Sequence, residues 1–126
     1  MHTRTRVLLG IAALGLLIAL LQFFATEYYL YWEFWWYDVM MHFLGGAFIG
    51  ASYLWALRFE FSSHSALRIP VFASAFLVVL GVGVAWEVFE YVTDSYAAVN
   101  YTLDTILDLL MDMAGMMAAY LAFKRI

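Results

Sequence analysis

The sequence has no cysteine, a single proline and only six basic residues in 126 positions. The lack of cysteine excludes disulfides and thiolate metal ligands. With so few Lys and Arg and a formal charge of −4, a nucleic-acid partner is excluded as well. Charged residues make up 13% of the chain and hydrophobic ones 67%, against about 25% charged in a soluble domain, so an ordinary cytoplasmic globule is ruled out. No GxSxG elbow, P-loop or dinucleotide fingerprint is present.

What fills the chain instead is a set of long apolar runs, at 7–24, 38–57, 69–92 and 103–123. A membrane-spanning helix needs about 20 mostly apolar residues, so these runs predict an all-α, polytopic membrane protein: one four-transmembrane-helix bundle over residues 1–126. The first run follows the basic stretch Arg4-Thr5-Arg6. Its apolar core is too long for a signal peptide, and Phe23-Phe24-Ala25 lacks small residues at both cleavage positions, so a retained helix is expected.

All the basic residues fall on one side of this topology: Arg4 and Arg6 before the first run, Arg58 and Arg68 in the second connection, Lys124 and Arg125 after the last. The positive-inside bias therefore predicts cytoplasmic termini in a bacterial inner membrane. Glu27, Glu33 and Asp94 fall on the opposite side. Residues 23–37 hold ten aromatics in fifteen positions, the pattern of an interfacial belt. A functional alternative is a platform for a lipid headgroup through cation–π contact. Gly45, Gly46, Gly50, Gly81, Gly83 and Gly115 offer small surfaces for close helix approach, and Gly46-Ala47-Phe48-Ile49-Gly50 matches GxxxG, a signal for contact within the chain or between copies in a homo-oligomer.

Against this apolar background the ionisable residues inside the runs stand out: Asp38 and His42, Glu87 and Glu90, and Asp104, Asp108 and Asp112. The three aspartates recur every fourth residue and form a stripe on one helix face. Asp38 and His42 share a face, as do Glu87 and Glu90. Alternating helix direction puts all seven in the outer half of the membrane, so one shared site is expected. Six carboxylates have no Lys or Arg inside any run, and a charge at depth costs at least about 2.5–3.5 kcal/mol. The helix dipole helps Asp38 and Asp104 at helix starts but opposes Glu87 and Glu90 near a helix end. Protons or bound cations must neutralise the set.

Oxygen donors with one imidazole suit a hard divalent ion, Mg²⁺, Mn²⁺, Ca²⁺ or Fe²⁺, with Zn²⁺ also accommodated. Each residue also has a blander reading on its own: Asp38 and Asp104 as helix caps, Asp94 as a solvated loop residue, His42 bonded to backbone. The methionines, among them Met40, Met41, Met113 and Met116, suggest Cu(I) beside His42, but core filling is the commoner use of Met. Ser62-Ser63-His64-Ser65 reads as a polar linker, and Asn100-Tyr101-Thr102 is a glycosylation sequon relevant only in a eukaryotic secretory context.

The combination Tyr37-Asp38-Val39-Met40-Met41-His42-Phe43, Trp86-Glu87-Val88-Phe89-Glu90 and Asp104-x-x-x-Asp108-x-x-x-Asp112-Met113 resembles the YjdF-like small bacterial inner-membrane proteins over about residues 35–120 and, more distantly, the VanZ-like membrane proteins. The resemblance implies the fold and the residue set and no particular reaction. Three functional classes follow from the residues: metal-dependent chemistry on a lipid or lipid-linked substrate, a proton or cation transporter with the Asp stripe as relay, or a non-catalytic binding or assembly subunit. Membrane lipids are the expected partners.

Overall fold

The structure, a computed structural model, describes residues 2–61, 69–93, 95 and 100–126. Four long helices occupy the four apolar runs: α1 (Thr3–Glu27), α3 (Trp35–Phe59), α4 (Val71–Thr93) and α5 (Tyr101–Phe123), with one short helix, α2 (Leu30–Glu33), between the first two. All four long helices are long and apolar enough to cross a membrane. At 1.5 Å per residue they reach about 35–38 Å, somewhat more than the hydrocarbon core of about 30 Å. The protein is therefore an all-α membrane protein of four candidate spans.

Local chemistry sets the helix ends. The lone Pro70 precedes Val71 and accepts the Ser74 N–H through its carbonyl, which suits a residue that lacks its own N–H at a helix start. Asn100 caps α5, its side chain accepting the Leu103 N–H at 3.2 Å, a role its sequon reading did not suggest. Between α1 and α2 the chain reverses through Tyr29 at φ 56°, a left-handed conformation uncommon for a bulky residue. The aromatic stretch is thus partly helical, with Tyr28, Tyr29, Trp32 and Trp35 exposed, as a belt requires. Tyr31 and Tyr37 turn inward: their hydroxyls donate to Gln22 Oε1 and to the Leu21 carbonyl at 2.5 and 2.8 Å.

Packing centres on the parallel pair α3 and α5, with α4 antiparallel against both and α1 antiparallel on α3. Glycines explain how close the central pair comes. A Cβ on Gly46 would overlap the Asp112 backbone, one on Gly115 would overlap the Phe43 carbonyl, and Gly50 lies over Met116. The GxxxG seam is thus used within the chain. Of α1, only Ala25 is buried, and α1 touches α3 through Gly15 against the Phe48 ring.

The bundle is chemically divided along its length. Towards the C-terminal ends of α3 and α5, Leu54, Ala75, Val79 and Met116 form an apolar core. At that end Arg4 pairs with Glu60 and lies 5.6 Å over the Trp55 ring, and Arg58 donates to the Phe123 carbonyl at 3.3 Å. The opposite half holds the carboxylates. Met41 and Met116 are buried core residues, and Met40 and Met113 pack against them, the filling role expected of methionine. Arg68, Asp94 and the segment Ser62-Ser63-His64-Ser65 lie outside the described residues.

Candidate metal centre

His42 is the hub. It projects from the second turn of α3 and is 8% exposed, and around it stand Glu87 (5%), Asp108 (0%) and Asp112 (5%). Its Nδ1 lies 3.3 Å from Asp112 Oδ1. Its Nε2 faces three carboxylate oxygens: Asp38 Oδ1 at 3.7 Å, Glu87 Oε1 at 3.8 Å and Asp108 Oδ2 at 3.8 Å. Asp38 comes from the same helix, Glu87 from α4, and Asp108 and Asp112 from α5. The i, i+4 spacing of Asp38 with His42 and of Asp108 with Asp112 gives two matched pairs of side chains, which the parallel seam sets face to face.

Both ring nitrogens therefore have carboxylates, but of different kinds. In the tautomer whose Nδ1 proton is donated to Asp112, Nε2 is the free nitrogen, 3.7–3.8 Å from oxygens of Asp38, Glu87 and Asp108. This is the arrangement by which a carboxylate fixes the tautomer and orientation of a metal-ligating histidine. Asp112 then orients the ring, while the other three share the ligand side.

The remaining contacts sharpen this division. Thr105 donates to Glu87 Oε2 at 2.6 Å, and the Tyr101 hydroxyl donates to the Glu87 backbone carbonyl at 2.7 Å. One Glu87 oxygen is thereby held and the other left to face the imidazole. Among the described residues, Glu87 Oε1, both oxygens of Asp108, and Asp112 Oδ2 are buried without a hydrogen-bond partner, whereas buried polar atoms in folded proteins are nearly always paired. Gly83 makes room for Asp112: a Cβ there would sit 2.5 Å from Oδ2.

Donor atoms of Asp38, His42 and Asp108 lie within 4.8 Å of one another, and so do those of His42, Glu87 and Glu90. A cation about 2.1 Å from each donor sets tetrahedral ligands about 3.4 Å apart. The separations of 3.7–3.8 Å from Nε2 approach that spacing, within two three-residue groups that share His42. The donor set, oxygen with one imidazole, is that of a hard or borderline divalent ion.

Of the seven residues singled out in the sequence, the structure gathers Asp38, His42, Glu87, Asp108 and Asp112 around one point, with Glu90 half-buried at its edge. Asp104 is also half-buried and belongs to neither donor group. Neither Asp38 nor Asp104 caps a helix: α3 begins at Trp35 without a side-chain cap, and Asn100 caps α5. Both α3 and α5 begin three residues before their first acidic residue, at Trp35 and Tyr101. His42 lies about 10 Å and Asp112 about 16 Å along their helices, the latter near mid-span. Sequence reading missed Thr105, Tyr101 and Gly83. Thr105 was findable, since it precedes Asp108 and Asp112 by three and seven residues on the same face of α5.

Beside the centre lies a cavity of about 270 Å³ bounded by α1, α2, α3, α4 and α5, with Asp38, His42, Glu90 and Asp112 on its polar wall. Tyr31 reaches this wall from α2. Burial, with Asp38 beside it, pushes its phenol well above the ordinary range.

Comparison with known proteins gives a family and no activity. The chain belongs to the family described as predicted membrane proteins (DUF2238), whose model matches residues 1–126. No curated protein and no solved structure matches it.

Proposed function

We propose that this DUF2238 protein is a bacterial inner-membrane protein built around an intramembrane divalent-cation centre, used for metal-dependent chemistry on a lipid or lipid-linked substrate. The observation that carries this reading is the set of buried, unpartnered carboxylate oxygens on Glu87 and Asp108 facing the Nε2 of one buried histidine. Such oxygens are costly unless a cation or protons meet them. The resemblance of the Asp38–His42, Glu87–Glu90 and Asp108–Asp112 motifs to YjdF-like proteins accords with it.

His42, Asp38, Glu87 and Asp108 would hold the ion, Asp112 would orient His42, and Thr105 would orient Glu87. A bound divalent cation supplies Lewis-acid polarisation and an acidified water. Glu90, half-buried at the cavity wall, is placed to hold or pass a proton there. The transporter reading is less supported, because beyond Asp112 the bundle packs Leu54, Ala75, Val79 and Met116 and offers no carboxylate, histidine or basic relay before the Arg58 end. The gathering of Arg4, Arg58 and Lys124 at the end opposite the carboxylates supports cytoplasmic termini.

The test is cation affinity across amide variants of the purified protein. Asp108→Asn and Glu87→Gln should weaken binding by about a hundredfold or more. Asp112→Asn should weaken it by about 10–100-fold, the usual cost of losing an orienting partner, and Asp104→Asn should leave it unchanged. Equal affinity in all four variants would remove the centre from consideration.

A further inference from the structure

The cavity beside the centre has features the cation does not use. Its deeper walls are apolar, formed by Ile18, Ile49 and Val82, and Gly45 lines it with nothing within 4 Å of an added Cβ. Its shallower wall carries two aromatic rings, Tyr31 and Trp86, beside the carboxylates Asp38 and Glu90. Its one basic group is the His42 imidazole, and among the described residues no Lys or Arg lines it. Glu90 lies about 5 Å from the end of α4 and Val82 about 16 Å from it.

The cavity also faces the lipid. α1 packs on α3, and α4 packs on α3 and α5, without substantial packing between α1 and α4. Gln22 of α1 and Val82 and Trp86 of α4 border the cavity and are themselves exposed. An amphiphile in the bilayer therefore reaches the cavity sideways, between α1 and α4, without crossing the protein.

Charge decides which amphiphile. The cavity wall carries three carboxylates, Asp38, Glu90 and Asp112, against one imidazole, His42, an excess of acidic over basic groups. An anionic headgroup at Asp38 and Glu90 would add to this excess, whereas an ammonium would reduce it. Aromatic faces beside carboxylates are also the usual surroundings of a bound ammonium. We propose that this cavity binds the ammonium headgroup of a membrane phospholipid between Tyr31, Trp86, Asp38 and Glu90, with the start of an acyl chain along Ile18, Ile49 and Val82. The proposal shares residues with the cation centre but does not require that a cation be bound.

The test uses the full-length protein in nanodiscs that contain either a phosphatidylethanolamine or a phosphatidylglycerol with a photoreactive diazirine on one acyl chain. Labelled peptides are mapped, and bound metal is measured in the same samples. The ethanolamine lipid should label peptides containing Ile49 or Val82 roughly tenfold more than the glycerol lipid. Glu90→Gln should bring the two lipids to equality. Gly45→Leu fills the cavity where space is open, and it should suppress labelling by both lipids while leaving metal content at the wild-type level. Equal labelling by both lipids in the wild type, or labelling unaffected by Gly45→Leu, would overturn the proposal. Loss of lipid selectivity with metal retained, or of metal with selectivity retained, tells which of the two readings has failed.

Discussion

Replacing Asp108 by Asn should change the sign of its effect on stability with the presence of the cation. Asp108 is fully buried, and among the described residues neither of its oxygens has a hydrogen-bond partner. In the metal-free protein an ionised carboxylate there costs several kcal/mol. The amide keeps the shape and removes the charge, at the cost of an unpaired amide of about 1–3 kcal/mol, so the metal-free variant should be as stable as wild type or more so. At a cation concentration a hundredfold above the dissociation constant, wild type gains about 2.7 kcal/mol. A variant that binds a hundredfold more weakly gains about 0.4 kcal/mol under the same conditions. For a chain of this size, about 3–5 °C accompanies each kcal/mol, so cation should raise the wild-type Tm by roughly 10 °C and the variant's by about 2 °C. The assay is intrinsic-tryptophan melting in detergent, with chelator or with each of Mg²⁺, Mn²⁺, Ca²⁺, Fe²⁺ and Zn²⁺. Equal shifts in the two proteins would refute the assignment of Asp108 as a ligand.

Two further expectations concern the frame around the site. Gly46→Ala should destabilise by about 1–3 kcal/mol through overpacking against the Asp112 backbone, whereas Gly81→Ala, where a Cβ meets nothing within 4 Å, should be neutral or stabilising by helix propensity; thermal melts of both separate the cases. Because the chain has no cysteine, Glu33→Cys and Ile126→Cys give single-site topology probes. A membrane-impermeant thiol reagent added to intact cells should label the first and spare the second.

The four spans were legible because hydrophobic length is a strong local signal, and Asp38, His42, Glu87, Asp108 and Asp112 were legible because charge is rare inside such runs. Their division of labour was not. That Asp112 faces Nδ1 while Asp38, Glu87 and Asp108 face Nε2 depends on the axial register of α3 against α5, which is set by Gly46, Gly50 and Gly115 meeting backbone. Periodicity gives each helix its face but not its slide along a neighbour. Asp104 shares the stripe of Asp108 and Asp112 in sequence, yet it stands in the first turn, outside the donor groups. Asn100 illustrates the converse: its sequon drew the eye, while its work in this fold is to cap α5.

A cation meeting the buried carboxylates should be visible in elemental analysis of the detergent-purified wild-type protein. Close to one divalent ion per chain is expected, absent from Asp108→Asn prepared in parallel. Wild-type protein with no metal above the level of that variant, and no uptake on incubation with Mg²⁺, Mn²⁺, Ca²⁺, Fe²⁺ or Zn²⁺, would contradict it and assign the neutralisation of Glu87 and Asp108 to protons.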